Sequence, residues 1–318
     1  MELRQETTAP TATDETGRGP GMAKTENPVS ELLRSYRGQS VVYCPNPGNG
    51  GDAIIAEATF RLLDKHGVRY KIYDRDPGSL LPGDHFFFGG GGNLVELYPE
   101  GEGVPATVHD RVERFVILPH TISGHGEFLA KLGENTTVFA REPRSYEYVK
   151  GFPGIGAVHL DHDLALSLVG DAAFKNEVRR ARFRQFGRYV NVLRRKRHAR
   201  KRGEAVRWND ILCYREDRER TKKEFAWENY DISRIINFDS TMRDREAVRK
   251  TVFGILGLLS WFRKIRTDRL HVAISGAILN KQVELSANKY WKNGEIHAHS
   301  LRARFPNITF IDRGDNKQ

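Results

Sequence analysis

In the first half of the chain, compact apolar runs alternate with longer stretches of helical spacing. "SVVYCPN", "RYKIYD", "HFFFGGGG", "RFVILPHT", "TTVFARE" and "AVHLDHDLAL" read as short strands with buried composition. Between them, "GDAIIAEATFRLLDKHG" has the spacing of an amphipathic helix closed by Gly67, and "PRSYEYVKG" reads as a helix start. Strands separated by helices predict a parallel sheet covered on both faces. Ligands of such sheets sit beyond the carboxyl ends of the strands, and several strands here end in Gly, Asn, His or Arg.

The second half repeats the theme. "DILCYRED" reads as a strand and "REAVRKTVFGILGLLSWFRK" as a helix, followed by a turn at "RTDRLH", a buried helix "LHVAISGAIL" and the strand "KQVEL". The predicted fold class is α/β, with two Rossmann-like domains facing a cleft. The expected divisions are a disordered tail at 1–27, a first domain at 28–172, a basic linker or helix at 173–202 and a second domain at 203–318.

Composition narrows the class. The chain has 318 residues, 39% hydrophobic and 29% charged, an ordinary globular profile. No apolar run approaches the roughly 18 residues that span a bilayer, and the N-terminal stretch carries nothing like a signal peptide's apolar core. Cys44 and Cys213 stand far apart, which excludes a disulfide framework and a paired-cysteine metal site. A cytoplasmic protein is expected. The net charge is +10, and its placement matters more than its size: residues 175–202 hold thirteen Lys or Arg and one acid, Glu177. The rest of the chain is therefore close to neutral.

Five segments carry candidate chemistry. "NPGNGGDAIIAEAT" puts glycines between a strand and a helix, where free amides can meet an anion; otherwise it is a plain turn with Asp52 as the cap. "FFFGGGGNL" allows positive φ and close backbone approach. "ILPHTISG" places His120 and Thr121 at a predicted strand end. "VFAREPRSYEYV" places Arg141 at another, with Ser145 as a candidate cap for the next helix; Arg141 suits a carboxylate or phosphate, or a salt bridge to a neighbour such as Glu142. In "RTDRLH", Thr267 or Asp268 is the expected N-cap, Asn280 the C-terminal stop, and Arg269 and His271 fall in the first turn, where the helix dipole favours an anion. Asp161, His162 and Asp163 include metal-ligand types, but no second cluster with ligand spacing accompanies them, so no metal is expected.

Taken in order, "GNGGDAII", "GGGGNL", "ILPHTI", "AREPRSYEYV", "HDLAL", "TDRLHVAI" and "NKYWKN" make the chain resemble the polysaccharide pyruvyl transferase family over roughly Val41 to Ser300. The resemblance implies a two-domain fold like that of GT-B glycosyltransferases. It also implies transfer of the enolpyruvyl-derived group of phosphoenolpyruvate to sugar hydroxyls, leaving a pyruvate ketal and phosphate. Donor contacts carried over by position are Arg141, Arg269, Leu270, His271 and Lys292, with His271 and Arg269 as catalytic residues. Asn49, Gly51, Asp52, Gly90, Gly91, Gly92, Asn93 and His120 are the expected cleft lining and acceptor contacts. The chain has His120 where the family commonly has Gln, and Val272 where a Gly often follows the motif histidine. No cofactor beyond the donor is implied. The acceptor is a glycan, polymeric or lipid-linked.

A GT-B glycosyltransferase using a nucleotide sugar is the alternative, and it would release a nucleotide instead of phosphate. In the basic segment, Phe183, Phe186, Tyr189, Val190 and Leu193 are interleaved with the cations. That pattern suits a helix lying on an anionic membrane surface; a solvated charged face is the other reading, and no nucleic-acid partner is expected.

Overall fold

The computed structural model describes residues 27–220 and 227–312. The expected N-terminal tail therefore lies outside the described residues except for Asn27, which caps the first helix by accepting from Ser30 N.

Seven strands build the first sheet: β1 (Ser40–Cys44), β2 (Arg69–Ile72), β3 (His85–Phe88), β4 (Gly91–Val95), β5 (Arg114–Ser123), β6 (Thr136–Ala140) and β7 (Ala157–Leu160). The order is β2-β1-β3-β5-β6-β7 and every pairing is parallel. β4 also pairs with β5, so β3 and β4 act as one strand interrupted at Gly89–Gly90. Four strands build the second sheet, β8 (Asp210–Cys213), β9 (Lys264–Thr267), β10 (Gln282–Ser286) and β11 (Ile308–Ile311), again all parallel and in the order β11-β10-β9-β8. The α/β class and the parallel sheets are as the sequence predicts, although β9 was hidden within the stretch taken as a turn.

The helices before the second sheet are α1 (Pro28–Ser35), α2 (Gly50–His66), α3 (Gly103–Val108), α4 (Gly126–Leu129), α5 (Pro143–Lys150), α6 (Ala172–Arg184) and α7 (Phe186–Lys201). Those of the second half are α8 (Ile232–Ile235), α9 (Arg245–Leu259), α10 (Leu270–Ile278) and α11 (Lys292–Ile296). Among the described residues, none is long and apolar enough to cross a membrane. The basic segment forms α6 and α7, whose inner stripes (Phe174, Val178 and Ala181, then Val192, Lys196 and Ala199) are buried at helical spacing.

The capping residues differ from the expected ones. α2 is capped by Asn49, whose side chain accepts from Gly51 N, while Asp52 accepts from Asn49 N three residues later; this capping box, rather than a cap by Asp52, fixes the start. At α10 the cap position is Arg269; Thr267 ends β9 and accepts from Arg269 N, and Asp268 accepts from Arg215 N. Asn280 does stop this helix, in the left-handed region at φ 52°. Ser145 lies inside α5 and bonds Ile122 instead of capping.

One hydrophobic core joins the two halves. On the first sheet, Val41, Tyr43 and Phe87 face one side, and Val42, Cys44, Phe86 and Phe88 the other. The first face belongs to a cluster that continues through α2 and α9 to Ile211, Ile265 and Val283 of the second sheet. α2 and α9 touch so closely that a Cβ on Gly50 would lie 2.5 Å from Ile255 Cδ1. Ile54, one turn on from Gly50 and fully buried, shares that face. Ile54→Ala should therefore cost about 2–5 kcal/mol. All four tryptophans lie in the second half, at 208, 227, 261 and 291. Their fluorescence should consequently shift to lower denaturant in this first-half variant by as much as the far-UV circular dichroism does; a shift in dichroism alone would contradict a shared core.

Candidate active site

The strand order reverses between β1 and β3, since the chain leaves β1 toward β2 and then crosses back. In doubly wound sheets this is where a crevice opens. The loop after β1 (Asn46 to Asn49) and the glycines after β3 flank that point. Facing them are the loops that leave the carboxyl ends of β8, β9 and β10. The cleft between has a volume of about 270 Å³.

Asn49, Gly51, Asp52, Gly92, Asn93, Arg141, Arg269, Leu270, His271 and Lys292 all line it. Residues from 49 to 292 in sequence thus reach one cleft. Gly90, Gly91 and His120 lie behind its wall, fully buried. His120 is not at a strand end, because β5 continues to Ser123 alongside β4. Its Nε2 lies 2.9 Å from Asn93 Oδ1 and its ring stacks on Phe88, so it orients Asn93 from beneath. Burial, with Arg141 nearby, holds the ring well below the usual imidazole range, and it stays neutral.

None of Gly89–Gly92 adopts positive φ. Their role is close approach: a Cβ at Gly92 would stand 2.5 Å from Arg141 Nη2, and one at Gly51 would stand 2.8 Å from His271 Nδ1.

Arg141 follows directly on β6 and is 1% exposed. Its Nε donates to Thr121 Oγ1 at 2.8 Å and its Nη1 to Asp163 Oδ2 at 2.6 Å, which leaves Nη2 beside Gly92. The same Asp163 oxygen lies 3.1 Å from His271 Nε2. Burial pushes the Asp163 carboxyl up, but His271 and Arg141 outweigh it and hold the group well below the usual carboxylate range. Because Asp163 is a carboxylate, His271 presents Nε2–H to it, and Nδ1 is the nitrogen that faces Gly51.

A second buried carboxylate, Glu219, organises the opposite wall. Tyr98 donates to its Oε1 at 2.6 Å; Asn288 and Lys292 donate to Oε2 at 3.0 and 2.7 Å; Arg215 pairs with it as well. Burial lowers Lys292 to about 8, against the opposing pull of Glu219. Arg269 is held by Asp231 through two bonds of 2.6 and 2.7 Å and by Asp217 at 2.9 Å. Asp52 is pushed up by burial, with His271 acting in the other direction. The cleft is thus lined by cations, each held by a carboxylate, and the carboxylates Asp52, Glu100 and Glu219 line it as well.

Sequence reading missed Tyr98, Arg215 and Glu219 in the lining and the clamps Asp217 and Asp231. Arg215 and Asp217 follow the strand "DILC", a position that marks them; Glu219, Tyr98 and Asp231 lie in loops with no local signal. Asp163 was noticed only as a metal-ligand type. Among the described residues, no group of three or more His, Cys, Asp or Glu side chains is placed to hold a metal ion.

Asp163→Asn removes the charge that pairs with Arg141 and accepts from His271 while keeping the volume. With both Arg141 and Asp163 side chains 1% exposed, it should destabilise the protein by about 3 kcal/mol, the scale of breaking a buried pair. Urea denaturation checks this; an unchanged midpoint would mean that the charge contributes nothing to holding the site.

Residues 49–283 match the sequence profile of the family described as polysaccharide pyruvyl transferase. Among solved structures, the chain is similar to a crystal structure of an uncharacterised protein from Klebsiella pneumoniae subsp. pneumoniae NTUH-K2044. The TM-score is 0.69 at 28% identity, covering 89% of this chain and 96% of that one. A search of curated proteins finds no match. Matched over most of its length, the chain belongs to the polysaccharide pyruvyl transferase family and is a transferase.

Proposed function

We propose that the protein transfers the pyruvyl group of phosphoenolpyruvate to two hydroxyls of one sugar in a glycan acceptor. The convergence of Arg141, Arg269, His271 and Lys292 on one cleft carries this reading. Phosphoenolpyruvate bears about three negative charges, and the remaining guanidinium donors of two arginines, a protonated lysine and the start of α10 suit them. In this reading the donor lies in the cleft between the carboxyl edges of the two parallel sheets and the acceptor enters from its mouth.

In this scheme His271 Nδ1–H delivers a proton to the methylene carbon. C2 then gains oxocarbenium character, a sugar hydroxyl attacks it, and the C2–O bond to phosphate breaks. A second hydroxyl of the same sugar closes the ketal. Of the two hydroxyl protons, one is accounted for in the new methyl group and the other on the released phosphate. Asp163 steadies the imidazolium through Nε2 and so leaves Nδ1 as the working nitrogen. Arg141 is tied to the same carboxylate, which keeps the anion-binding group and the proton donor in register.

Two measurements test the reading. His271→Ala should lower phosphate release from phosphoenolpyruvate in the presence of acceptor by about 10²-fold or more, the range for loss of a general acid or base. Turnover close to the parent's, or nucleotide release from a nucleotide sugar in place of phosphate release, would overturn it. Lys292 serves the donor as a cation and has its value lowered to about 8. The KM for phosphoenolpyruvate should accordingly rise as pH passes upward through that value, because the neutral amine no longer attracts the anion. Lys292→Met should raise KM at neutral pH and flatten this dependence.

A further inference from the structure

We propose that the face built by α6 and α7 docks on an anionic membrane surface, with the cleft beside the contact. The thirteen cations of residues 175–202 are not consumed by internal pairing. Among the described residues, Lys196 with Glu228 is the one ion pair the segment's cations make; the segment's single acid, Glu177, bonds Arg61 and Arg249 from other elements instead. Arg179, Arg180, Arg184, Arg194 and Arg197 are exposed.

Charge alone would describe any solvated helix. The second observation is where the apolar surface lies. Seven large hydrophobic side chains are exposed among the described residues, and four of them, Phe183, Phe186, Trp227 and Phe238, stand on or against these two helices. Phe183 is 74% exposed on the side of α6 opposite its buried stripe, flanked at helical spacing by Arg179 and Arg180. Phe186 is 54% exposed at the start of α7. Phe238 lies under the guanidinium of Arg188, with 5.8 Å from Cζ to the ring centroid. Trp227 lies under Arg202 at 4.6 Å and against His198. Trp208 follows Arg207, whose carbonyl accepts from Lys196. Tyr189, by contrast, is spent internally, stacked on Trp261 at 4.8 Å.

Aromatic rings between arginines match a lipid interface, where the ring enters the acyl boundary and the cation meets phosphate. A nucleic-acid duplex would use the same cations but gains little from isolated phenylalanines on the outer side of a helix; an acidic protein interface would use both rings and arginines, and binding to vesicles of lipid alone separates it from a membrane.

The face is tied to the cleft by one short segment. Ser233 lines the cleft, while Phe238, five residues on, lies on the basic face. Between them Asn237 donates to the carbonyl of Gly48, a cleft-lining residue, at 3.0 Å, and Gly48 N donates to Ser240 O at 2.9 Å. A protein resting on α6 and α7 therefore holds the mouth of its cleft near the membrane, within reach of a glycan carried on a membrane lipid. This docking does not rest on the donor assigned above, because its test reads binding and not turnover.

The full-length protein is cosedimented with vesicles of phosphatidylcholine alone and with vesicles of equal parts phosphatidylcholine and phosphatidylglycerol. Binding is expected to the anionic vesicles only, and to fall as salt rises, since screening shortens the reach of the cations. Arg180→Glu with Arg184→Glu should weaken partitioning by about 10-fold or more, and Phe183→Ser should weaken it at constant charge. Unchanged thermal unfolding of the variants separates lost docking from lost folding. No binding to anionic vesicles by the parent would overturn the proposal. So would equal binding by Phe183→Ser, or tighter retention of the parent by duplex DNA than by vesicles.

Discussion

A single carboxylate, Asp163, sets the geometry on which the rest of the site depends. It is shut away from water, and a buried charge is tolerated only when paired and hydrogen-bonded. The pairing comes from both halves of the molecule: Arg141 from the first sheet and His271 from the helix after β9 share one of its oxygens. That shared atom fixes the Arg141 guanidinium relative to the His271 imidazole more tightly than either element alone could. Glu219 does the same from the other side, drawing Tyr98 of the first half and Arg215, Asn288 and Lys292 of the second onto one carboxylate. Cations gathered around one cleft would repel one another, and the carboxylates paired with them offset that cost.

These contacts need two sheet edges held at a fixed separation. The core supplies this, because the apolar cluster that packs beneath the first sheet runs on through α2 and α9 to the second. α2 is central to both functions. Its body belongs to the shared core, and its first turn, closed by the Asn49–Asp52 capping box, forms the wall opposite His271. Gly51 and Gly92 are needed there because a methyl group at either position would collide with the histidine or the arginine.

Much of this is legible in the chain. Periodicity separates strands from helices because burial on two faces and on one stripe leaves different patterns. Strand ends carrying Gly, Asn and Arg mark the ligand edge because parallel sheets bind at their carboxyl ends. Arg141, Arg269, His271 and Lys292 were found this way and through the ordered motifs, and they do line one cleft. His120 was misplaced at a strand end because the bulge in the β5 pairing does not end the strand and leaves no mark in local composition. Glu219, Tyr98 and Asp231 were not found at all, since a loop residue's value depends on which distant charge it meets.

The sequence by itself determined the α/β class, the parallel sheets, the location of the positive charge and the sheet edge that borders the cleft, because each follows from residue types and spacing within a few turns of chain. Tertiary structure alone decided which nitrogen of His271 meets Asp163 and which lies against Gly51, which carboxylate clamps which cation, that Gly90, Gly91 and His120 sit behind the wall, and that Phe183 and Phe186 are exposed while Tyr189 is covered. Those outcomes depend on separations between residues of different elements, 22 positions apart for Arg141 and Asp163 and 108 for His271 and Asp163, or on which face of a helix finds a neighbour. Local pattern does not encode such distances; the packing of the two sheets around one core sets them.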